Sequence, residues 1–177
     1  MMEKKEIDLR EIKLLGGIGS VSMLAMPFVG LVLLLVALKK LADATANEKI
    51  FRDFFVATVI SLVFLFSLYI GWMAFFFVFA HTPPQPPPED LRFALHFLII
   101  WVLAWIAGIL FAIYVSRSLE ALAKITGDKM FNTAGLLIFI GAILTIAFVG
   151  LIVFFIGWIY LIIAFFSLPD KLELEVA

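Results

Sequence analysis

The chain has 177 residues, of which 64% are hydrophobic and only 15% are charged. Because soluble domains are typically about 25% charged, a globule of this composition could not cover its surface with polar groups, and we expect an integral membrane protein. The net charge of −1 gives no indication of nucleic-acid binding, and the lack of cysteine excludes disulfides, thiolate metal sites and cysteine nucleophiles.

Four apolar stretches are long enough to cross a bilayer, which takes ~20 residues of helix. They run over residues 14–38, 54–80, 93–114 and 135–166. None of them contains Asp, Glu, Lys or Arg, and none alternates polar and apolar residues as barrel strands do. The sequence therefore predicts an all-α integral membrane protein with a four-helix transmembrane domain at 14–168, a charged N-terminal tail at 1–13 and a C-terminal tail at 169–177.

The first and fourth stretches depart from a simple membrane span. Pro27 lies inside the first stretch, and because proline lacks a backbone N–H we expect a kink there. The fourth stretch would be roughly 48 Å long as a straight helix at 1.5 Å per residue, which exceeds a hydrocarbon core of ~30 Å. It must tilt, protrude or break near Gly150, and we expect one long tilted helix rather than a re-entrant pair.

The connection between the second and third stretches, residues 81–90, contains five prolines. Such a run cannot continue a helix and favours an extended polyproline conformation. We therefore interpret it as a stiff, exposed spacer, with a proline-rich docking motif as the alternative.

The other two connections resemble each other in sequence. With one gap, at Glu48, residues 38–51 align with residues 119–131. The identical pairs are Leu38/Leu119, Leu41/Leu122, Ala42/Ala123, Thr45/Thr126, Lys49/Lys129 and Phe51/Phe131. We interpret this likeness as an internal duplication of a helical hairpin, giving a parallel repeat about an axis along the membrane normal. Gly127 is predicted to end the helix that precedes the second loop.

Small residues recur along one face of two helices, a pattern that lets helix backbones approach closely. They are four residues apart in the third stretch and seven apart in the fourth. These candidate helix-packing residues are Ala104, Gly108, Ala112, Ser116, Gly150, Gly157 and Ala164. We expect them to pack within the bundle, and self-association is the alternative.

Four crossings would place both chain ends and the proline-rich connection on one side, and the two repeated loops on the other. Lys and Arg residues then number six on the first side and seven on the second. The positive-inside rule therefore leaves the orientation open. All four tryptophans lie in the half nearer the proline-rich connection, where we expect them to mark the membrane interface.

Ionisable residues inside a membrane are costly and point to function, and the four stretches contain one, His96. We expect it to be hydrogen-bonded or interfacial, since His81 and His96 alone would be a poor metal site. Glycines 16, 17 and 19 open an apolar helix with no lysine after them, so they are predicted to pack rather than bind phosphate. The sequence predicts no catalytic, cofactor-binding or metal-binding residue, and no enzyme.

Apolar and glycine-rich motifs occur at both ends of the chain. They are Leu14–Ser20, Ala37–Asp43, Thr133–Ala142, Ile156–Ile159 and Ala164–Leu168. In these motifs the chain resembles, over nearly its full length, an archaeal family of small uncharacterised integral membrane proteins, domain of unknown function 996. The resemblance implies an archaeal cell membrane and no particular activity, substrate or catalytic residue. The resemblance also implies a longer stretch around Pro27 than this chain has.

Three functions remain open. The first is a non-enzymatic scaffold or subunit of a larger complex, with the lipid bilayer, a second copy or another membrane protein as partner. The alternative is a small transporter or channel acting as an oligomer, which an internal repeat favours and the lack of intramembrane charge opposes. The third is an enzyme, for which His81 and His96 are the only candidates.

Overall fold

The computed structural model describes residues 3–81 and 91–176, with the backbone alone at positions 3–5, 72, 74–76, 78–81, 91–97 and 173–176. Over these residues the chain forms six α-helices, one 3-10 turn and two short strands. The elements are β1 (Glu3–Asp8), α1 (Arg10–Ala25), α2 (Pro27–Thr45), α3 (Glu48–His81), α4 (Leu91–Thr126), α5 (Lys129–Leu144), a 3-10 turn (Thr145–Ala147), α6 (Val149–Ser167) and β2 (Lys171–Val176).

The helices form a ring of three antiparallel hairpins, α1–α2, α3–α4 and α5–α6. Each helix packs against the next one in the chain, and α6 packs against α1. The central pair is much longer than its neighbours, since α3 and α4 have 34 and 36 residues whereas α1 and α5 have 16 each. The hairpin α3–α4 therefore extends well beyond the turns of the other two.

Four helices in the described part of the chain are long and apolar enough to cross a membrane. The prediction of an all-α membrane protein with four such helices is therefore confirmed. They are α3, α4, α5 together with its 3-10 turn, and α6. They do not correspond one to one with the four apolar stretches of the sequence, because the first and fourth stretches each form two helices.

The expectation of one long tilted helix over 135–166 is wrong. Helix α5 ends at Leu144, and the chain reverses through the 3-10 turn and Phe148, whose φ is 60°. A Cβ on Gly150 would lie 2.3 Å from the carbonyl oxygen of Gly141, so the backbones meet directly after the turn only because these residues are glycine.

The first stretch, 14–38, also reverses instead of kinking. Met26 lies between the helices with φ −138° and ψ 79°, and Pro27 begins α2 at a position where a missing N–H costs nothing. Gly19 and Gly30 bring the two helices together, since a Cβ on Gly30 would lie 2.6 Å from the carbonyl oxygen of Gly19. Helices α1 and α2 thus form a closely packed hairpin.

Both chain ends and both short loops lie together at one end of the bundle, the charged end. The ammonium of Lys40, near the end of α2, contacts the carboxylate of Glu11, near the start of α1. The hydroxyl of Ser167 donates to Asp128 at 3.1 Å, which joins the end of α6 to the start of α5. The expectation that chain ends and repeated loops lie on opposite sides is therefore wrong, because two stretches enter the bundle and return.

The two tails form a small antiparallel ribbon that the sequence analysis missed. Strand β1 pairs with β2 in a register that places Ile7 opposite Leu172. An isolated two-stranded ribbon is marginal in water, and here Ile7 is buried against the bundle while the N–H of Leu9 donates to the carbonyl of Asp170 at 2.8 Å. The ribbon holds the two ends of the chain side by side.

The α2–α3 and α4–α5 loops share one turn geometry. Ala46 and Gly127 both have left-handed φ, 53° and 72°, so α4 ends where Gly127 predicts. The side chain of Asn47 accepts the N–H of Lys49, and that of Asp128 accepts the N–H of Met130. In this geometry Ala46 corresponds to Gly127, Asn47 to Asp128 and Lys49 to Met130, so the two loops align without the gap that the sequence alignment places at Glu48. The internal repeat itself stays a prediction.

Apolar side chains fill the ring near the charged end. The largest fully buried ones are Phe54, Phe131, Phe165, Leu9, Leu34, Leu38, Leu41, Ile50, Leu119, Leu122, Ile138 and Leu161. Phe131 and Phe165 meet edge to face at 5.1 Å between ring centroids, which joins α5 to α6 in the centre. This core fixes the hairpins relative to one another.

Gly141→Ala should destabilise the fold by about 1–3 kcal/mol, because overpacking forces the backbone apart. Its Cβ would lie 2.4 Å from the backbone nitrogen of Phe154, and backbone cannot turn aside. Gly108→Ala is the matched control, since a Cβ there meets nothing within 4 Å. Thermal unfolding followed by circular dichroism in detergent should separate the two variants, and equal melting temperatures would contradict the hairpin packing.

Candidate functional site

An apolar groove lies beside the turn of the α5–α6 hairpin. It exists because α4 continues past the end of α5, so the face of α4 that packs on α5 near Ser116 lies open around Gly108. The groove has a volume of about 250 Å³ and is lined by Trp101, Ala104, Trp105, Gly108, Phe111, Ala142, Thr145, Leu151 and Phe154. A second groove of about 220 Å³ shares Phe111 and Phe154 and continues to Met23, Leu24, Phe155 and Trp158.

Trp105 closes the end of α5. Its indole N–H lies 3.2 Å from the carbonyl oxygen of Ala142 and 3.1 Å from that of Ile143, while the hydroxyl of Thr145 donates to the carbonyl of Gly141 at 2.8 Å. The last four carbonyls of a helix have no partner within it, and here three of them accept from two side-chain donors, because the indole N–H is shared between two carbonyls. The turn therefore needs no water at these carbonyls.

Trp158 ties α6 to α1 in a similar way. It is 3% exposed, and its indole N–H donates to the carbonyl of Ser20 at 3.0 Å. The hydroxyl of Ser20 donates in turn to the carbonyl of Gly16 at 2.7 Å. Trp158 is thus an interior residue, which corrects the expectation that it marks the membrane interface.

The chemistry of the grooves is that of a hydrocarbon surface. The hydroxyl of Thr145 is occupied by its own helix, and the other lining side chains are apolar or are tryptophans. Such a surface can hold a hydrocarbon chain or the apolar face of another helix. It offers neither a nucleophile nor a general base.

The ion pairs of the described residues lie at the opposite end of the bundle. Arg10 and Lys13 both face Asp170, at 3.6 and 3.5 Å, and the ammonium of Lys171 contacts the carboxylate of Glu6. The hydrogen bond to Glu6 raises the pKa of Lys171 above its usual value. Within the described residues, no three side chains of His, Cys, Asp or Glu come together as a metal site. His81 and His96 lie outside the described side chains.

The small residues predicted to pack fall into two environments. Ala112, Gly150, Gly157 and Ala164 are buried, and a Cβ on Gly157 would lie 2.7 Å from the backbone nitrogen of Ile138. On α4, Ser116 faces Gly135 of α5, whereas Ala104 and Gly108 line the first groove. The stripe on α4 is therefore divided between a helix contact and an open surface.

Two features of the site were beyond sequence reasoning. The Trp158–Ser20 hydrogen bond joins residues 138 positions apart, and no local sequence pattern indicates it. Asp53 is 5% exposed beside Arg52, a burial that its place in the first turns of α3 does not reveal. Asp53 lies at the charged end, away from both grooves.

Comparison with known proteins places the chain in a family. The family model described as "Protein of unknown function (DUF996)" matches residues 26–159. The chain belongs to this family. An uncharacterized protein of Methanocaldococcus jannaschii is 31% identical over 96% of this chain and 98% of its own length. No solved structure matches.

The DUF996 match begins at Met26, in the turn of α1–α2, and ends inside α6. It therefore includes the α5–α6 turn, both short loops and all the residues of the first groove. It leaves out α1 and the ribbon of chain ends, which pack onto that part.

Trp158→Phe should lower the free energy of unfolding by about 0.5–2 kcal/mol, because it keeps an aromatic ring but removes the indole N–H that donates to the carbonyl of Ser20. Trp101→Phe is the control, since its ring packs against Phe148 with centroids 6.4 Å apart. Unfolding followed by far-ultraviolet circular dichroism avoids the change in tryptophan fluorescence. A loss at Trp101 as large as at Trp158 would contradict the role given to the indole hydrogen bond.

Proposed function

We propose that this protein is a non-enzymatic component of the cell membrane, acting as a scaffold or as a subunit of a larger complex. The observation that carries the proposal is the filled apolar interior of the ring. A bundle whose centre is packed with Phe54, Phe131 and Phe165 leaves its outer surface as the place for function.

The buried polar residues support this view. Those in the described chain are Ser20, Asp53, Thr58 and Ser118. The three hydroxyls donate to backbone carbonyls, and the hydroxyl of Ser118 bonds to Ile50 across α3 and α4 at 2.7 Å. Since each hydroxyl is occupied by the helices, these groups stabilise the bundle and do not line a path for a polar substrate.

The outer surface of α3–α4 suits contact with another membrane protein. Beyond the turns of the short hairpins, exposed apolar side chains cover both helices, as at Phe66, Tyr69 and Leu103. Gly108, in the first groove, has open space where a Cβ would be, so another helix could approach closely there. The archaeal relative supports residence in a prokaryotic cell membrane.

Transport is the second candidate because two chain reversals occur within apolar segments, at Met26 and at Phe148. Broken helices of this kind form the binding sites of many transporters. The side chains that line the grooves at the two reversals are apolar or tryptophan except for Thr145, whose hydroxyl is occupied by the carbonyl of Gly141. This favours the scaffold proposal over transport of an ion or polar solute.

Affinity purification of the tagged protein from its native membrane in mild detergent should recover a stoichiometric membrane partner. Gly108→Leu fills the first groove and should reduce recovery of that partner at least tenfold. Gly71→Leu is the matched control, since Gly71 is also open but lies outside both grooves.

Recovery of the monomer alone, with lipids but no protein partner, would contradict the proposal. A homo-oligomer with no other partner would favour transport, and flux measurements in liposomes would then test that function directly.

A further inference from the structure

The fold gathers the basic residues at one end of the molecule. Twelve of the thirteen Lys and Arg residues belong to the ribbon, the helix ends or the short loops of the charged end. They are Lys4, Lys5, Arg10, Lys13, Lys39, Lys40, Lys49, Arg52, Arg117, Lys124, Lys129 and Lys171. The remaining one, Arg92, lies at the start of α4, next to the proline-rich connection.

This distribution decides an orientation that the sequence left open. Lys and Arg in short loops near the ends of membrane helices remain on the cytoplasmic side. With four simple crossings, the Lys and Arg residues were nearly equal in number on the two sides, because the chain ends and the loops were assigned to opposite faces. With the chain ends and the loops at one end, the positive-inside rule places that end in the cytoplasm.

The α1–α2 hairpin is too short to cross the bilayer. From Lys13 to Met26, and from Pro27 to Lys39, each arm rises about 18–20 Å at 1.5 Å per residue, against a hydrocarbon core of ~30 Å. Neither α1 nor α2 is among the helices that are long and apolar enough to span.

The turn of this hairpin is built for hydrocarbon. Met26 and Phe28 are 64% and 66% exposed, and no charged residue lies between Lys13 and Lys39. The N–H of Met26 donates to Ser22, and the carbonyl of Met26 accepts the N–H of Gly30. Since an unsatisfied backbone group in lipid is costly, this closed turn can lie inside the membrane without water.

The α3–α4 hairpin differs from α1–α2 both in the length of its helices and in the polarity of the connection between them. From Arg52 to His81, and from Arg92 to Arg117, the helices rise roughly 43 and 37 Å, which is more than the hydrocarbon core. Their connection carries the proline run with Glu89 and Asp90, in contrast to the apolar turn of α1–α2.

We propose that both chain ends and both short loops face the cytoplasm, and that the α1–α2 hairpin enters the membrane from that side and turns within the hydrocarbon. Helices α3 and α4 cross to the outer face. The bilayer interior is then the partner of the exposed side chains at Met26 and Phe28.

Single-cysteine labelling tests this placement directly, because the chain has no cysteine of its own. Full-length variants Gln85→Cys, Asp43→Cys and Met26→Cys are treated in intact cells with a membrane-impermeant maleimide. Gln85→Cys should be labelled in intact cells, and Asp43→Cys only after the cells are opened. Met26→Cys should resist the reagent in both cases and react once the membrane is dissolved in denaturing detergent.

Labelling of Asp43→Cys from outside would overturn the orientation. Labelling of Met26→Cys from outside would show that the hairpin crosses, and its labelling in opened but undissolved membranes would show that the turn is not in lipid. Phe28→Cys repeats the test at a second exposed position if Met26→Cys does not accumulate.

Discussion

The need to satisfy backbone hydrogen bonds without water shapes this structure. In hydrocarbon an unpaired carbonyl or N–H is costly, so a chain that reverses there must supply its own partners. At the end of α5 those partners are the indole of Trp105 and the hydroxyl of Thr145. At the end of α1 the carbonyl of Ser22 accepts the N–H of Met26. Glycines then let the returning helices lie against the outgoing ones, as Gly141 and Gly150 do.

The reversals explain how the charges are distributed. When the first and last apolar stretches turn back, the two ends of each stretch meet. The ribbon, both short loops and one end of each of the six helices therefore lie at the same face. The long α3–α4 hairpin is left to reach the far side. The grooves follow from the same mismatch in length, because α4 continues where α5 has ended. Thus the fold separates an ionic face from an apolar surface that is available for lateral contacts.

Much of this could be predicted from the sequence, and the missing part has a physical reason. Composition and apolar length indicate membrane helices, and Gly127 correctly marks the end of α4. Hydropathy measures how apolar a segment is but does not show whether the chain reverses within it. A hairpin and a single kinked helix around Pro27 therefore have the same hydropathy. Glycines on both sides of each turn could have indicated the two hairpins. The alternation of Leu172, Leu174 and Val176 with charged residues could have indicated the ribbon strand. The contact of Trp158 with Ser20 depends on tertiary packing alone.

The reversal of the first apolar stretch is the central claim, and one distance tests it. Spin labels on Arg10→Cys and Asp43→Cys in the full chain, reconstituted in liposomes, report the separation of the two ends of α1–α2 by pulsed electron paramagnetic resonance. With the contact between Glu11 and Lys40 in place, the labels should lie well within the ~30 Å thickness of the hydrocarbon core. A separation near 50 Å, which is roughly that of a continuous helix over these residues at 1.5 Å per residue, would contradict the hairpin.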